Sequence, residues 1–304
     1  MARLTPLLLL TLLTVVPLAA QATKDGHPDL QGVWNYSSLT PLERPSELGS
    51  KEVLTDEEAA AYEKQRLEQT NADRRNPGTA GDLGLAYNDF WYDRGRRIVS
   101  TRRTSLVVSP PDGRIPPLTE AAQKRLAAQA SFRGRVPEGP EDRSLAERCL
   151  VFNAGPPMAP GPYNNNFQLF QSRDRVIIMN EMIHNARVIQ LDGRPHLPKS
   201  VRQWQGDSRG RWEGNTLVVD TTNFTDQTPF RGSDENLHLI ERFTRLDADT
   251  LMYEFTIDDP SAFTKPWTVA LPMTRMDEPI YEYACHEGNY ALGNILKGAR
   301  AGVK

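Results

Sequence analysis

Histidines, a run of three asparagines and scattered carboxylates are the groups in this chain best suited to polar chemistry near neutral pH. The histidines are His27, His184, His196, His238 and His286. Imidazole titrates close to neutral, so each is a candidate acid or base if a carboxylate orients it. His286 opens the stretch His286-Glu287-Gly288-Asn289-Tyr290 directly after Cys285, and Glu287 or Glu254 could partner it. His184, His286 and Glu254 are the catalytic candidates. Asn164-Asn165-Asn166 follows Pro162-Tyr163 at a strand entrance, where three amides can donate to a ligand oxygen. Asn also forms turns and caps edges readily, so the same run can be purely structural. Together with Asp220, His238 and Tyr290, the three asparagines are the ligand-binding candidates.

The spacing argues against several other chemistries. His-Glu-x-x-His, His-x-His and His-x-x-x-His are all missing. Glu181 and His184 fall in a strand-like stretch, where residues three apart face opposite ways and cannot chelate together. A metal gathered from distant His184, His238 and His286 competes with the plainer reading of hydrogen-bonded histidines. No metal site and no cofactor is expected. Gly206-Asp207-Ser208-Arg209-Gly210 spells Gly-x-Ser-x-Gly. A nucleophile elbow needs a strand before it and a helix after it, and here a β-branched run follows. Ser208 is therefore not expected to be a nucleophile, and Asp207, Arg209, Arg211 and Glu213 read as a salt-bridged turn. No phosphate-cradling glycine motif stands between a strand and a helix.

Positioning these groups falls to two unlike halves. Residues 1–22 read as a secretory signal peptide. Arg3 supplies the positive start, Leu7 to Leu18 the apolar run, and Ala20-Gln21-Ala22 the cleavage site. That run is too short to cross ~30 Å of hydrocarbon, which takes ~20 residues. Removing the leader leaves 282 residues with net charge −4, from the full chain's 304 and −3 less Arg3. The expected locale is secreted or periplasmic, with no transmembrane anchor. With 36 Lys+Arg against 39 Asp+Glu, no basic footprint for nucleic acid exists. The only two cysteines, Cys149 and Cys285, lie 136 positions apart in a chain bound for an oxidising space. They are expected to be bridged, against the alternative of two buried thiols.

Residues 23–304 read as a single domain in two parts. Positions 23–160 are irregular, with prolines and glycines throughout. Thr55-Asp56-Glu57-Glu58 and Thr119-Glu120 each supply an N-cap and acidic first turn ahead of a helix-forming run. Positions 161–304 read as strands: 166–171, 175–182, 186–191, 210–212, 216–223, 237–246, 250–258, 267–275 and 280–285. Short turns between them imply an antiparallel meander. Leu251, Tyr253, Phe255 and Ile257 share one face of their strand, and Met252, Glu254, Thr256 and Asp258 the other. The mixed face either lines a cavity in a closed barrel or is the wet side of an open sheet. Gly32-Val33-Trp34 has the Gly-x-Trp form that begins lipocalin-like barrels, which favours closure. The expected fold is mainly β: an antiparallel meander, lipocalin-like, with an irregular N-terminal part carrying about two helices.

The string from Gly206 to Phe224, with Arg209-Gly210-Arg211-Trp212-Glu213-Gly214-Asn215-Thr216-Leu217-Val218-Val219-Asp220-Thr221-Thr222-Asn223 at its centre, resembles the signature of a family of secreted bacterial proteins. Thr40-Pro41-Leu42-Glu43-Arg44-Pro45, Asn164-Asn165-Asn166 and the stretch from Tyr283 to Tyr290 resemble its other pieces, so the likeness spans nearly the whole mature chain. It implies export and a bacterial source, and carries over no catalytic residue.

Three functions are left open. The first is a secreted or periplasmic barrel that binds a small apolar or aromatic molecule, with Trp34, Trp91, Tyr92, Trp204, Trp212 and Trp267 as possible lining. The second is a hydrolase or isomerase using His/Glu/Asp acid–base chemistry in a barrel cavity. The third is an interaction module of the cell envelope. Oligomeric state is not legible.

Overall fold

A computed structural model describes residues 22–302, except 76, 80, 81, 83–86, 134, 153, 154 and 229. The expected leader lies outside the described residues apart from its last position. Ten strands form one sheet: β1 (Gly32–Asn35), β2 (Val107–Ser109), β3 (Asn166–Gln171), β4 (Arg175–Asn180), β5 (Ala186–Gln190), β6 (Asp207–Glu213), β7 (Thr216–Thr222), β8 (His238–Arg245), β9 (Thr250–Asp258) and β10 (Trp267–Met276). Their order is β1-β3-β4-β5-β6-β7-β8-β9-β10, and β1 pairs again with β10. Nine strands thus close into a barrel, while β2 pairs with the start of β10. The Gly-x-Trp strand is the closing strand. Trp34 is fully buried, its indole N–H donates to the Leu30 carbonyl at 3.0 Å, and the Arg245 guanidinium lies 5.3 Å from its ring centroid.

Three features depart from the expected meander. The step from β5 to β6 is parallel, meeting at Gln190 and Arg209. Residues 191–206 make this crossover, and Asn223 Nδ2 pins them by reaching the carbonyls of Leu197, Pro198 and Val201, each at 3.0 Å. A Cβ at Gly210 would fall 2.5 Å from Leu191 and 2.8 Å from Ile189, so glycine permits this close approach. Next, 280–285 is not a strand: β9, β1 and β2 already fill both edges of β10, and a closed barrel offers no edge to a further strand. Finally, Asp207, Arg209, Arg211 and Glu213 lie along β6 rather than in a turn, pairing at i,i+2 on one face.

Strand alternation decides which face points inward, and the outcome differs from the cavity lined by the mixed face. Leu217, Val219, Leu239, Phe243, Leu251, Tyr253, Phe255, Ile257, Trp267, Val269, Leu271 and Met273 are buried and belong to one core cluster. About eight strands enclose a width that side chains alone can fill. Here aromatic rings fill it: Phe243 and Tyr253 lie 4.9 Å apart by centroids, and Tyr253 and Phe255 5.7 Å. Each such side chain contributes about 1.5–3 kcal/mol on burial. The mixed face, with Asp220, Glu254 and Asp258, points outward.

One polar group set interrupts this interior. Arg187 on β5 meets Glu241 on β8 through two bonds, Nη1 to Oε2 at 2.5 Å and Nη2 to Oε1 at 3.0 Å. The Tyr253 hydroxyl donates to Glu241 Oε1 at 2.7 Å and accepts from the Met158 amide at 3.1 Å. Burial, reinforced by Glu241, holds the Tyr253 phenol well above its ordinary range, so it stays a donor.

Among the described residues there are three α-helices: α1 (Asp56–Thr70), α2 (Glu120–Arg133) and α3 (Ala291–Arg300). The first two match the capping signals. Thr55 Oγ1 accepts from the Glu58 amide while the Glu58 carboxylate accepts from the Thr55 amide, closing a capping box. Thr119 Oγ1 accepts from the Ala122 amide and donates to the Ser261 carbonyl, docking α2 beside the start of β10. No helix is long and apolar enough to cross a membrane among the described residues. Cys149 and Cys285 form a disulfide, which ties the C-terminal segment to the middle of the chain.

Candidate functional site

The asparagine run sits where the barrel's outer flank meets the irregular N-terminal part, and its three members do different work. Asn165 faces inward and is buried. Its amide donates to the Asp93 and Gly161 carbonyls while its oxygen accepts from the Gly161 amide. It is a structural tie. Asn164 and Asn166 instead reach the buried carboxylate of Glu181, Nδ2 to Oε1 and Nδ2 to Oε2, each at 2.7 Å. Asn35 Nδ2 extends the chain to Asn166 Oδ1 at 2.7 Å. Asn164 adopts φ 53°, a left-handed conformation that Asn tolerates better than most residues. The result is a floor of three amides and one carboxylate with fixed orientations.

Aromatic rings stand over this floor. Tyr87, Phe90, Trp91, Tyr163 and Tyr283 line a groove of about 570 Å³ together with the floor residues. Phe90 and Trp91 meet edge to face at 5.4 Å, yet they remain 82% and 62% exposed. Rings this open have their faces available to another molecule. Burial, with Tyr283 alongside, pushes the Tyr163 phenol up to about 12, so it stays protonated at neutral pH.

A second groove of about 510 Å³ adjoins the first, with Tyr87 and Tyr283 in the walls of both. Glu147, Asn289, Cys285 and residues of α3 complete it. Burial raises the Glu147 carboxyl, but bonds from Arg143 and Ser144 outweigh this and hold it below its ordinary range. The disulfide fixes this wall. Tyr283 lies two residues before Cys285, and its carbonyl accepts from His184 Nδ1 at 3.1 Å.

A separate cluster lies on the outer face of β6 to β9. His196, in the crossover, places Nδ1 2.9 Å from Asp207 and Nε2 3.0 Å from Asp220. His238 Nε2 lies 3.0 Å from the other Asp220 oxygen, and its Nδ1 3.7 Å from Asp258. Carboxylates only accept, so the hydrogen bonds to Asp220 need a proton on Nε2 of each ring. The bond to Asp220 raises the His238 pKa above its ordinary value despite burial, and the same bond lowers that of Asp220.

These placements divide the candidate residues. Asn164 and Asn166 share the first groove, whereas Asp220 and His238 form the outer-face cluster. Tyr290 is exposed and lines neither groove. Of the catalytic candidates, His184 and His286 lie near the disulfide and are exposed, while Glu254 is on the outer face of β9 between Arg242 and Ala270. Four strand steps separate β9 from β4 by the shorter way round, so Glu254 is not brought to either histidine. Ser208 is buried in β6, its hydroxyl 3.0 Å from that of Thr221, with no helix after it. Of the candidate lining aromatics, Trp91 lines the first groove and the others line neither of the two. Trp34 and Trp267 are core, Trp212 stacks on His27 at 4.6 Å, and Tyr92 packs under Arg94. Among the described residues, no group of three or more His, Cys, Asp or Glu is arranged to hold a metal ion. No protein-family model, curated protein or solved structure matches the chain.

Proposed function

We propose that this is an exported bacterial protein that binds a small molecule with a flat apolar face, held in the groove over Asn164, Asn166 and Glu181. The observation that carries the reading is the pairing of exposed rings, Phe90 and Trp91, with an oriented polar floor in a groove of about 570 Å³. Sites for small molecules combine an apolar lining with a few fixed polar groups in volumes of roughly 300–1,000 Å³. The barrel is the scaffold of this site rather than its container, because aromatic side chains occupy its interior. Export rests on the leader-like N-terminus, on the resemblance to secreted bacterial proteins, and on a disulfide, which persists in oxidising compartments.

The test is native mass spectrometry of protein recovered from its own host, followed by thermal-shift measurements across a panel of flat and amphipathic molecules. A co-purified small molecule, or a panel member that raises Tm in wild type and not in Trp91→Ala, supports the reading. Absence of both defeats it.

A further inference from the structure

We propose that the two adjoining grooves form one cleft for a neutral oligosaccharide. This rests on the reading of the first groove as a small-molecule site and names the class of molecule it takes. Three observations point the same way.

The first is openness. An apolar or purely aromatic ligand gains most when its whole surface leaves water, and its sites bury 70% or more of it. Phe90 and Trp91 instead stand largely exposed at the rim. Such rings suit a ligand that stacks one apolar face and keeps its other side wet. A pyranose does this: its C–H face lies on an aromatic ring while its hydroxyls stay hydrated.

The second is the polar chemistry. Planar amides can donate to and accept from adjacent hydroxyls, and carboxylates accept from them. Asn164, Asn166 and Glu181 hold such groups in fixed orientation beneath the rings. Among the described residues, carboxylates of Asp93, Glu147 and Glu181 line the two grooves and no Lys or Arg does, although Arg143 pairs with Glu147 at 2.5 Å. That excess of negative charge disfavours uronic acids, sulfated sugars, phosphates and aromatic acids. It leaves uncharged polyhydroxylated molecules.

The third is length. The grooves, about 570 and 510 Å³, share Tyr87 and Tyr283. A ligand continuing from one to the other passes both tyrosines, so successive units of a chain would each find a ring and a polar group. In the second groove the polar groups are the Asn289 amide and the Glu147 carboxylate, the latter held by Arg143 and Ser144.

The experiment is isothermal titration with gluco-, xylo- and N-acetylglucosamine oligomers of one to six units, with oligogalacturonate as the anionic control. Expected is saturable binding of at least one neutral series, an affinity gain of at least tenfold between monomer and the longer oligomers, and no binding of oligogalacturonate. Tyr87→Ala should remove most of the gain with length, and Trp91→Ala should weaken binding at least tenfold. Tyr290→Ala, outside both grooves, should bind as wild type does. Melting curves of each variant establish that it is folded, and Asn164→Ala provides a second probe of the floor.

Absence of binding by every neutral series, equal affinity for one unit and six, or equal binding of oligogalacturonate overturns the proposal. If flat aromatic molecules bind in a Trp91-dependent way while no oligosaccharide does, the oligosaccharide assignment falls and the small-molecule reading stands. If neither binds, both fall.

Discussion

Removing one partner of the charge pair inside the barrel should cost far more than removing both. Arg187 and Glu241 are 6% and 0% exposed, joined by two hydrogen bonds, and touched by the Tyr253 hydroxyl. Arg187→Met leaves the Glu241 carboxylate with only the Tyr253 hydroxyl as partner. A buried charge stranded in this way costs about 3–5 kcal/mol. For a chain of this size each kcal/mol lowers Tm by about 2–4 °C, giving a fall of roughly 6–20 °C. Glu241→Gln should fall in the same range, because it strands the guanidinium. The double variant Arg187→Met/Glu241→Leu removes both charges and replaces them with apolar volume, so its stability should approach wild type. The assay is a double-mutant cycle by urea unfolding, followed by fluorescence, with a coupling energy of several kcal/mol expected. Two small, additive single-variant effects would instead mean that water reaches the pair and the interior is open.

Other perturbations follow from the same structure. Reducing the Cys149–Cys285 disulfide frees a loop of 136 residues, worth about 5 kcal/mol in the chain-entropy model. Tm should fall on adding reductant and not in Cys149→Ser/Cys285→Ser, and an unchanged wild-type Tm would count against a bridged native state. The His238–Asp220 contact should make stability depend on pH. The His238 contribution is complete below 6.5 and is lost as pH rises through its raised folded value. The Asp220 contribution is present above 3.8 and is lost as pH falls through its lowered folded value. His238→Gln should therefore lower Tm more at about pH 5.5 than at about pH 9; an equal loss at both would sink the assignment. Gly210→Ala places a Cβ against Leu191 and Ile189 and should cost about 1–3 kcal/mol in chemical unfolding, whereas a neutral effect would mean that β5 and β6 do not approach as described.

The barrel was legible because strand alternation is a local property. Leu251, Tyr253, Phe255 and Ile257 announce a single buried face, and β3 and β9 carry the bounds read from their residues. Closure was legible only through Gly32-Val33-Trp34, a weak motif whose strand proved to be the closing one. The parallel step at β5–β6 was hidden because Asp192-Gly193 looks like a hairpin turn, and only the distant amide of Asn223 reveals where the chain goes next. The side on which the mixed face would lie needed the volume inside nine strands, which no local pattern states.

Site residues followed the same division. Asn164 and Asn166 were found because three successive amides are unusual. Glu181 was passed over because its spacing to His184 suits no chelate, and its real partners are 15 and 17 residues away. His196 joins Asp207 and Asp220 through a crossover that the sequence did not disclose. Tyr87 and Phe90 share one segment while Tyr283 comes from the far C-terminal part of the chain, and only the disulfide hints that this part is held near the middle. The stretch from Gly206 to Phe224 is largely architectural: it builds the β6–β7 hairpin, and its Asn223 pins the crossover.

The ligand is proposed to sit on the outer flank and not within the barrel. Amide and methyl NMR spectra, recorded while titrating a binding molecule from the two panels above, test it directly. Shifts are expected at Trp91, Asn164 and Asn166, with the methyls of Leu239, Leu251 and Ile257 unmoved. Shifts concentrated at those interior methyls, with the groove silent, would contradict it.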